Sequence, residues 1–128
     1  MINWKKYDKL GELAGKVGNR LVVEALKRKL IDERMPSKHH PYIIQAIGKF
    51  GNSDDLPLLR NIFLKEMRRT VDCAGSNRCA IADILGRLGN RDDIQILEKV
   101  GSYWEEEHET ENLNISIAVN KLKDKYEW

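Results

Sequence analysis

The residues able to do chemistry in this 128-residue chain are few and scattered. His39-His40 stands directly before Pro41, Cys73 and Cys79 flank Ala-Gly-Ser-Asn-Arg, and His108 lies inside Glu105-Glu106-Glu107-His108-Glu109-Thr110-Glu111. Paired histidines offer a pH-sensitive or metal-binding spot, but beside a proline they fit the start of a helix better. Two cysteines need at least two more ligands to hold a metal, and no spacing brings the histidines to them. Cys79 falls in an apolar helical pattern, where a small buried thiol is common, so both cysteines are read as reduced. The acidic run suits a solvated loop or a frayed helix end better than a cation site. The chain has no Gly-x-Ser-x-Gly elbow, phosphate-binding loop or His-Glu-x-x-His helix. No catalytic residue, metal ligand or cofactor is assigned, and the chain is read as acting by binding.

Basic side chains then carry the remaining functional signal. Residues 1–80 hold 16 Lys or Arg against 9 Asp or Glu, whereas residues 81–128 hold 6 against 11. The net charge of +2 hides this polarity and by itself implies no partner. Hydrophobic residues at 41% and charged residues at 33% suit one globular helical domain over 1–128. No apolar stretch approaches a membrane span and the N-terminus lacks a signal-peptide core, which makes the cytoplasm the default location.

What positions these charges is a repeat. Gly15-Lys16-Val17-Gly18-Asn19-Arg20, Gly48-Lys49-Phe50-Gly51-Asn52-Ser53 and Gly86-Arg87-Leu88-Gly89-Asn90-Arg91 share one pattern, with starts 33 and then 38 positions apart. The later pair also matches Ile43 with Ile81, Asp54-Asp55 with Asp92-Asp93, Leu56 with Ile94 and Leu59 with Leu97. A period in the thirties suits a two-helix unit. Apolar residues at 43, 44, 46, 47 and 50 form one helical face. Gly51 stands where a left-handed residue commonly ends a helix. Asp54 and Asp92 are placed to cap the helices that follow, Asp92 with Gln95 as its capping-box partner, and Pro57 falls in a first turn. Gly48 and Gly86 lie inside helices, where close approach of a neighbouring helix would explain them.

These segments resemble the HEAT and phycobilisome-lyase-like HEAT repeat family, whose units read Arg-x-x-Ala-Ala-x-x-Leu-Gly-x-[Ile/Leu]-Gly before an Asp-containing turn. The best copy is Arg78-Cys79-Ala80-Ile81-Ala82-Asp83-Ile84-Leu85-Gly86-Arg87-Leu88-Gly89-Asn90. The copy from His40 has His for Arg, and a half-copy over Asn114–Lys123 has Asn120 and Lys123 in place of the glycines. Degenerate outer copies are those that cap an open apolar face. The resemblance implies an all-α fold, a right-handed α-α superhelix (α-solenoid) of about three and a half HEAT-like helical hairpins. It says almost nothing of activity, and no motif singles out lyase chemistry.

Seven helices are expected, near 4–16, 20–33, 40–50, 55–70, 78–88, 93–106 and 113–126. The second helix of each hairpin would line the concave side. There Val22, Val23, Leu26, Leu30, Leu56, Leu59, Ile62, Phe63, Met67, Ile94, Leu97, Val100 and Trp104 form the buried stripe. Lys27, Arg28, Arg60, Asn61, Lys65, Arg68, Arg69, Glu98 and Lys99 are left outward as candidate partner-binding residues. Three partners remain open. The first is a protein held on this face, making the chain a binding or scaffold module. The second is nucleic acid on the phosphates facing Lys27, Arg28, Arg60, Lys65, Arg68 and Arg69. The third is a second copy, as a homo-dimer through the repeat ends. Alkylpurine DNA glycosylases, which are HEAT-like solenoids, look to an acidic residue amid tryptophans in a basic cleft. Trp104 here adjoins Glu105-Glu106-Glu107, and Trp4 and Trp128 fit terminal caps better.

Overall fold

The computed structural model describes residues 19–71, 73–104 and 109–126, which form α-helices, short 3-10 turns and no strand. Six α-helices follow one another: α1 (Asn19–Ile31), α2 (His40–Phe50), α3 (Leu56–Lys65), α4 (Ala74–Leu88), α5 (Asp92–Trp104) and α6 (Glu109–Tyr126). The helix expected over 4–16, the first copy of the glycine repeat through Gly18, Trp4, Trp128 and Glu105 to His108 of the acidic run lie outside the described residues. So does the side chain of Trp104. No described helix is long and apolar enough to cross a membrane.

Each helix buries one stripe, and the stripes join in a single core. Val23, Leu26 and Leu30 of α1, Ile43, Ile44 and Ile47 of α2, Leu59 and Phe63 of α3, and Ile81 and Leu85 of α4 all belong to it. Leu97 and Val100 of α5, with Ile115, Ala118 and Leu122 of α6, complete it. The close helix pairs follow a rule. First helices pack on first helices, α2 on α4 and α4 on α6, and each second helix packs on the first helix that follows it: α1 on α2, α3 on α4, α5 on α6.

Glycine permits the first of these contacts. A Cβ added to Gly86 would stand 2.9 Å from both Cα and Cβ of Ala118, so α4 and α6 touch nearly backbone to backbone. A Cβ on Gly48 would collide with the side chain of Ile84 from α4. Ile84 and Ala118 occupy equivalent places in successive first helices, and both meet the glycine of the preceding one. In α6 the glycine place is taken by Asn120, which is exposed.

Several boundaries differ from the sequence expectation, each for a local reason. Helix α4 starts at Ala74, so Gly75-Ser76 form its first turn and not a break. Cys73 takes the left-handed conformation (φ 62°) before it, and the N–H of Asn77 donates to the Cys73 carbonyl at 2.9 Å. Helix α3 ends at Lys65 and gives way to turns. Buried Arg78 donates to the carbonyls of Glu66 and Arg69, satisfying acceptors that a continuing helix would have used. Gly51 and Gly89 have φ of −90° and −72°, so neither ends its helix in the left-handed region.

Gly86→Ala should lower stability by about 1 kcal/mol, because overpacking against Ala118 exceeds the gain in helix propensity. Combined with Ala118→Gly, which moves the methyl across the interface, most of that loss should return in denaturant unfolding. Additive losses in the double variant would show that the two residues do not share one space.

Candidate functional site

The turn between the two helices of each hairpin is where sequence and charge converge. In Gly51-Asn52-Ser53-Asp54-Asp55, the Asn52 side chain accepts from the N–H of Asp54 at 2.8 Å, and the Asp55 carboxylate accepts from the N–H of Asn52 at 2.8 Å. In Gly89-Asn90-Arg91-Asp92-Asp93, the corresponding distances are 2.9 and 2.9 Å. The caps are therefore Asn52 and Asn90, not Asp54 and Asp92 as expected, and the reciprocal partner is the second aspartate of each pair, not Gln95 as expected for the later turn. The second aspartates prevail because they are turned inward, at 1% and 0% exposure, whereas Asp54 and Asp92 are exposed. The turn glycines have a steric role here. A Cβ on Gly51 or Gly89 would collide with Oδ2 of Asp55 or Asp93 and with the carbonyl of Ile47 or Leu85.

Each buried carboxylate also receives a base from the preceding second helix. Lys27 Nζ lies 2.8 Å from Asp55 Oδ1, and Arg20 makes two bonds to the same carboxylate at 2.8 and 2.9 Å. Arg60 Nε and Nη2 reach the two oxygens of Asp93 at 2.6 and 2.8 Å, a bidentate pair. Burial by itself would raise the Asp55 pKa. Hydrogen bonds from Arg20, Lys27 and the Asn52 N–H outweigh it and hold the carboxyl well below the usual range. The Asp55 hydrogen bond in turn raises Lys27, and the Asp93 hydrogen bond raises Arg60.

Lys27 and Arg60 were expected to face solvent as partner-binding residues. Their side chains are 19% and 24% exposed and are committed to these inter-helix pairs. The third residue of the same row is the acidic Glu98, which is exposed and lies 3.3 Å from Lys123 of α6, so the polarity of the bridge reverses at that end. Arg28, Asn61 and Lys99, equivalent to one another along the repeat, are all exposed, as is Lys65. Arg69 lies 3.4 Å from the Glu66 carboxylate. Arg68, also exposed, stands over the ring of Tyr103 at 5.6 Å, which joins the turn after α3 to the end of α5.

Asp55, Asp93, Arg20 and Arg78 carry structural roles that the sequence reading did not single out. The recurrence of a second Asp at one place in both turns was the available signal. Cys73 and Cys79 are not joined in a disulfide, and no cluster that could hold a metal ion occurs among the described residues. No family model matches the chain, and neither does any curated protein or solved structure.

Asp93→Ala should cost about 3 kcal/mol, because it leaves Arg60 partly buried without its partner and takes the acceptor from the Asn90 N–H. Arg60→Ala should be strongly non-additive with it in a double-mutant cycle. Additivity would mean that the bridge contributes nothing. The depressed Asp55 carboxyl contributes stability that is fully present above its unfolded pKa of about 4 and is lost as pH falls below that value. Asp55→Asn should therefore unfold less steeply in acid than the parent. An unchanged acid limb would remove Asp55 as its cause.

Proposed function

We propose that this chain is a non-catalytic binding or scaffold module whose second-helix face holds a protein partner. We take the helical hairpins as a HEAT-like α-solenoid, on the recurrence of the glycine contacts and of the carboxylate bridges from one unit to the next. Such an array presents equivalent side chains side by side at each step, which suits an extended partner.

The observation that carries the protein reading is the pairing of Arg68 with half-exposed Tyr103. It links the turn that follows α3 to α5, with exposed Leu64 in the last turn of α3 and Arg28, Asn61 and Lys99 in register along the repeat. Arg and Tyr side chains held in place beside apolar surface are the composition that carries binding energy at protein interfaces. The nucleic-acid alternative is weakened by the same geometry. Of its six bases, Lys27 and Arg60 already have buried carboxylates as counter-ions, and Arg69 has Glu66.

Chemical cross-linking of the protein to whatever it captures in cells should place links on Lys65 and Lys99. Arg68→Glu with Tyr103→Ala should abolish capture, whereas Lys49→Glu on α2 should leave it intact. Binding of duplex or single-stranded nucleic acid that falls steeply with salt and is lost in Lys65→Glu/Arg68→Glu would overturn the protein reading in favour of the nucleic-acid one.

A further inference from the structure

At the opposite end of the hairpins from the capped turns, a cavity of about 280 Å3 opens between the C-terminal ends of α1 and α3 and the N-terminal ends of α2 and α4. Its walls include Leu30, Ile44 and Ile62, all apolar. Two polar side chains line it from deep burial: Glu66, 9% exposed, and Asn77, 1% exposed. Glu66 Oε1 faces Arg69 at 3.4 Å, but Glu66 Oε2 and Asn77 Oδ1 are both shut away from solvent with no hydrogen-bond partner.

Native structures rarely leave such atoms unmatched, because a desolvated acceptor forfeits its bonds to water. A carboxylate oxygen is the costlier of the two. Glu66 Oε2 and Asn77 Oδ1 are acceptors, so a group that answers them must donate hydrogen bonds; His40 Nε2, buried on the same wall, accepts as well when the ring proton sits on Nδ1. Glu33, exposed at the rim, adds negative charge. Lys65 and Arg69 also line the cavity. Arg69 is turned toward Glu66, and neither base answers the two orphaned acceptors, which an anion would only repel. The volume lies just under the range of small-molecule pockets and suits a group of side-chain size with an apolar stem.

We propose that this cavity binds an alkyl cation. Its ammonium or guanidinium head would donate to Glu66 Oε2 and Asn77 Oδ1, and its aliphatic stem would lie against Leu30, Ile44 and Ile62. Such a group comes either as a free alkylamine or alkylguanidine or as a Lys or Arg side chain of another protein. The inference stands apart from the second-helix face, since the cavity takes a single side-chain-sized group whether or not Arg68 and Tyr103 dock a partner.

Titration with agmatine, n-butylamine and N-acetyl-arginine amide, followed by calorimetry or amide chemical shifts, tests it directly. Saturable binding near about 1 mM is expected for at least one cation, with none for n-butyrate. Glu66→Gln, which keeps the shape and removes the charge, should weaken binding about ten-fold or more. Ile62→Trp should abolish it by filling the cavity, with the helical circular dichroism retained as the control for folding. Preference for the free cations over the amide-capped arginine assigns a small-molecule ligand, and the reverse preference assigns a protein side chain. No saturable binding by any cation, equal affinity in a folded Glu66→Gln variant, or binding of butyrate instead would overturn the proposal. The Arg68→Glu/Tyr103→Ala variant should bind agmatine as the parent does, which separates this outcome from that of the protein-binding face.

Discussion

A buried carboxylate in a tight turn is the constraint on which the rest of this structure depends. Asp55 and Asp93 each close an asparagine-capped turn from within and each accept a base from the preceding second helix. One side chain thus both closes its own turn and ties that turn to the preceding second helix. Neither carboxylate could sit there alone, since an uncompensated buried charge is strongly destabilising. The base supplies the counter-charge, the Asn N–H supplies a directed donor, and the turn glycine leaves the space that the carboxylate occupies.

The glycines of the first helices do complementary work at the helix–helix contacts. Without Cβ atoms at Gly48 and Gly86, α2 approaches Ile84 of α4 and α4 approaches Ala118 of α6. The carboxylate bridges run instead from each second helix to the next hairpin's turn. Two kinds of contact, one steric and one ionic, therefore repeat with the same step. The step is also modified at one end. Asn120 replaces glycine in α6, Glu98 bridges to Lys123 with reversed polarity, and Arg91 and the Tyr126 hydroxyl tie the end of α6 back to the Gly89 turn.

This use of charge changes what the surface has to offer. A basic row drawn along the second helices loses Lys27 and Arg60 to buried aspartates, because the equivalence that aligns the bases also aligns their acceptors. What stays exposed is more mixed: Arg28, Asn61, Lys65, Arg68 and Lys99, with Tyr103 and Leu64 among them. At the far end of the hairpins the reverse holds. There Glu66 and Asn77 are buried polar groups whose acceptors the fold leaves unmatched.

The all-helical fold, the turns at Asn52 and Asn90 and the buried stripes were legible in the residues, since apolar spacing and repeated Gly-Asn-x-Asp-Asp are local signals. Helix propensity and period act over a few residues, so they depend little on what packs around them. The partner of each side chain is a different kind of quantity. Whether Arg60 faces solvent or Asp93, thirty-three positions away, depends on how α3 lies against the next turn. The start of α4 at Ala74 likewise depends on Arg78 reaching back to the end of α3. Glycine at 51 and 89 could be read as a conformational need or a steric one. Only the position of the folded-back carboxylate decides for the second, because that clash exists solely once the hairpin has closed.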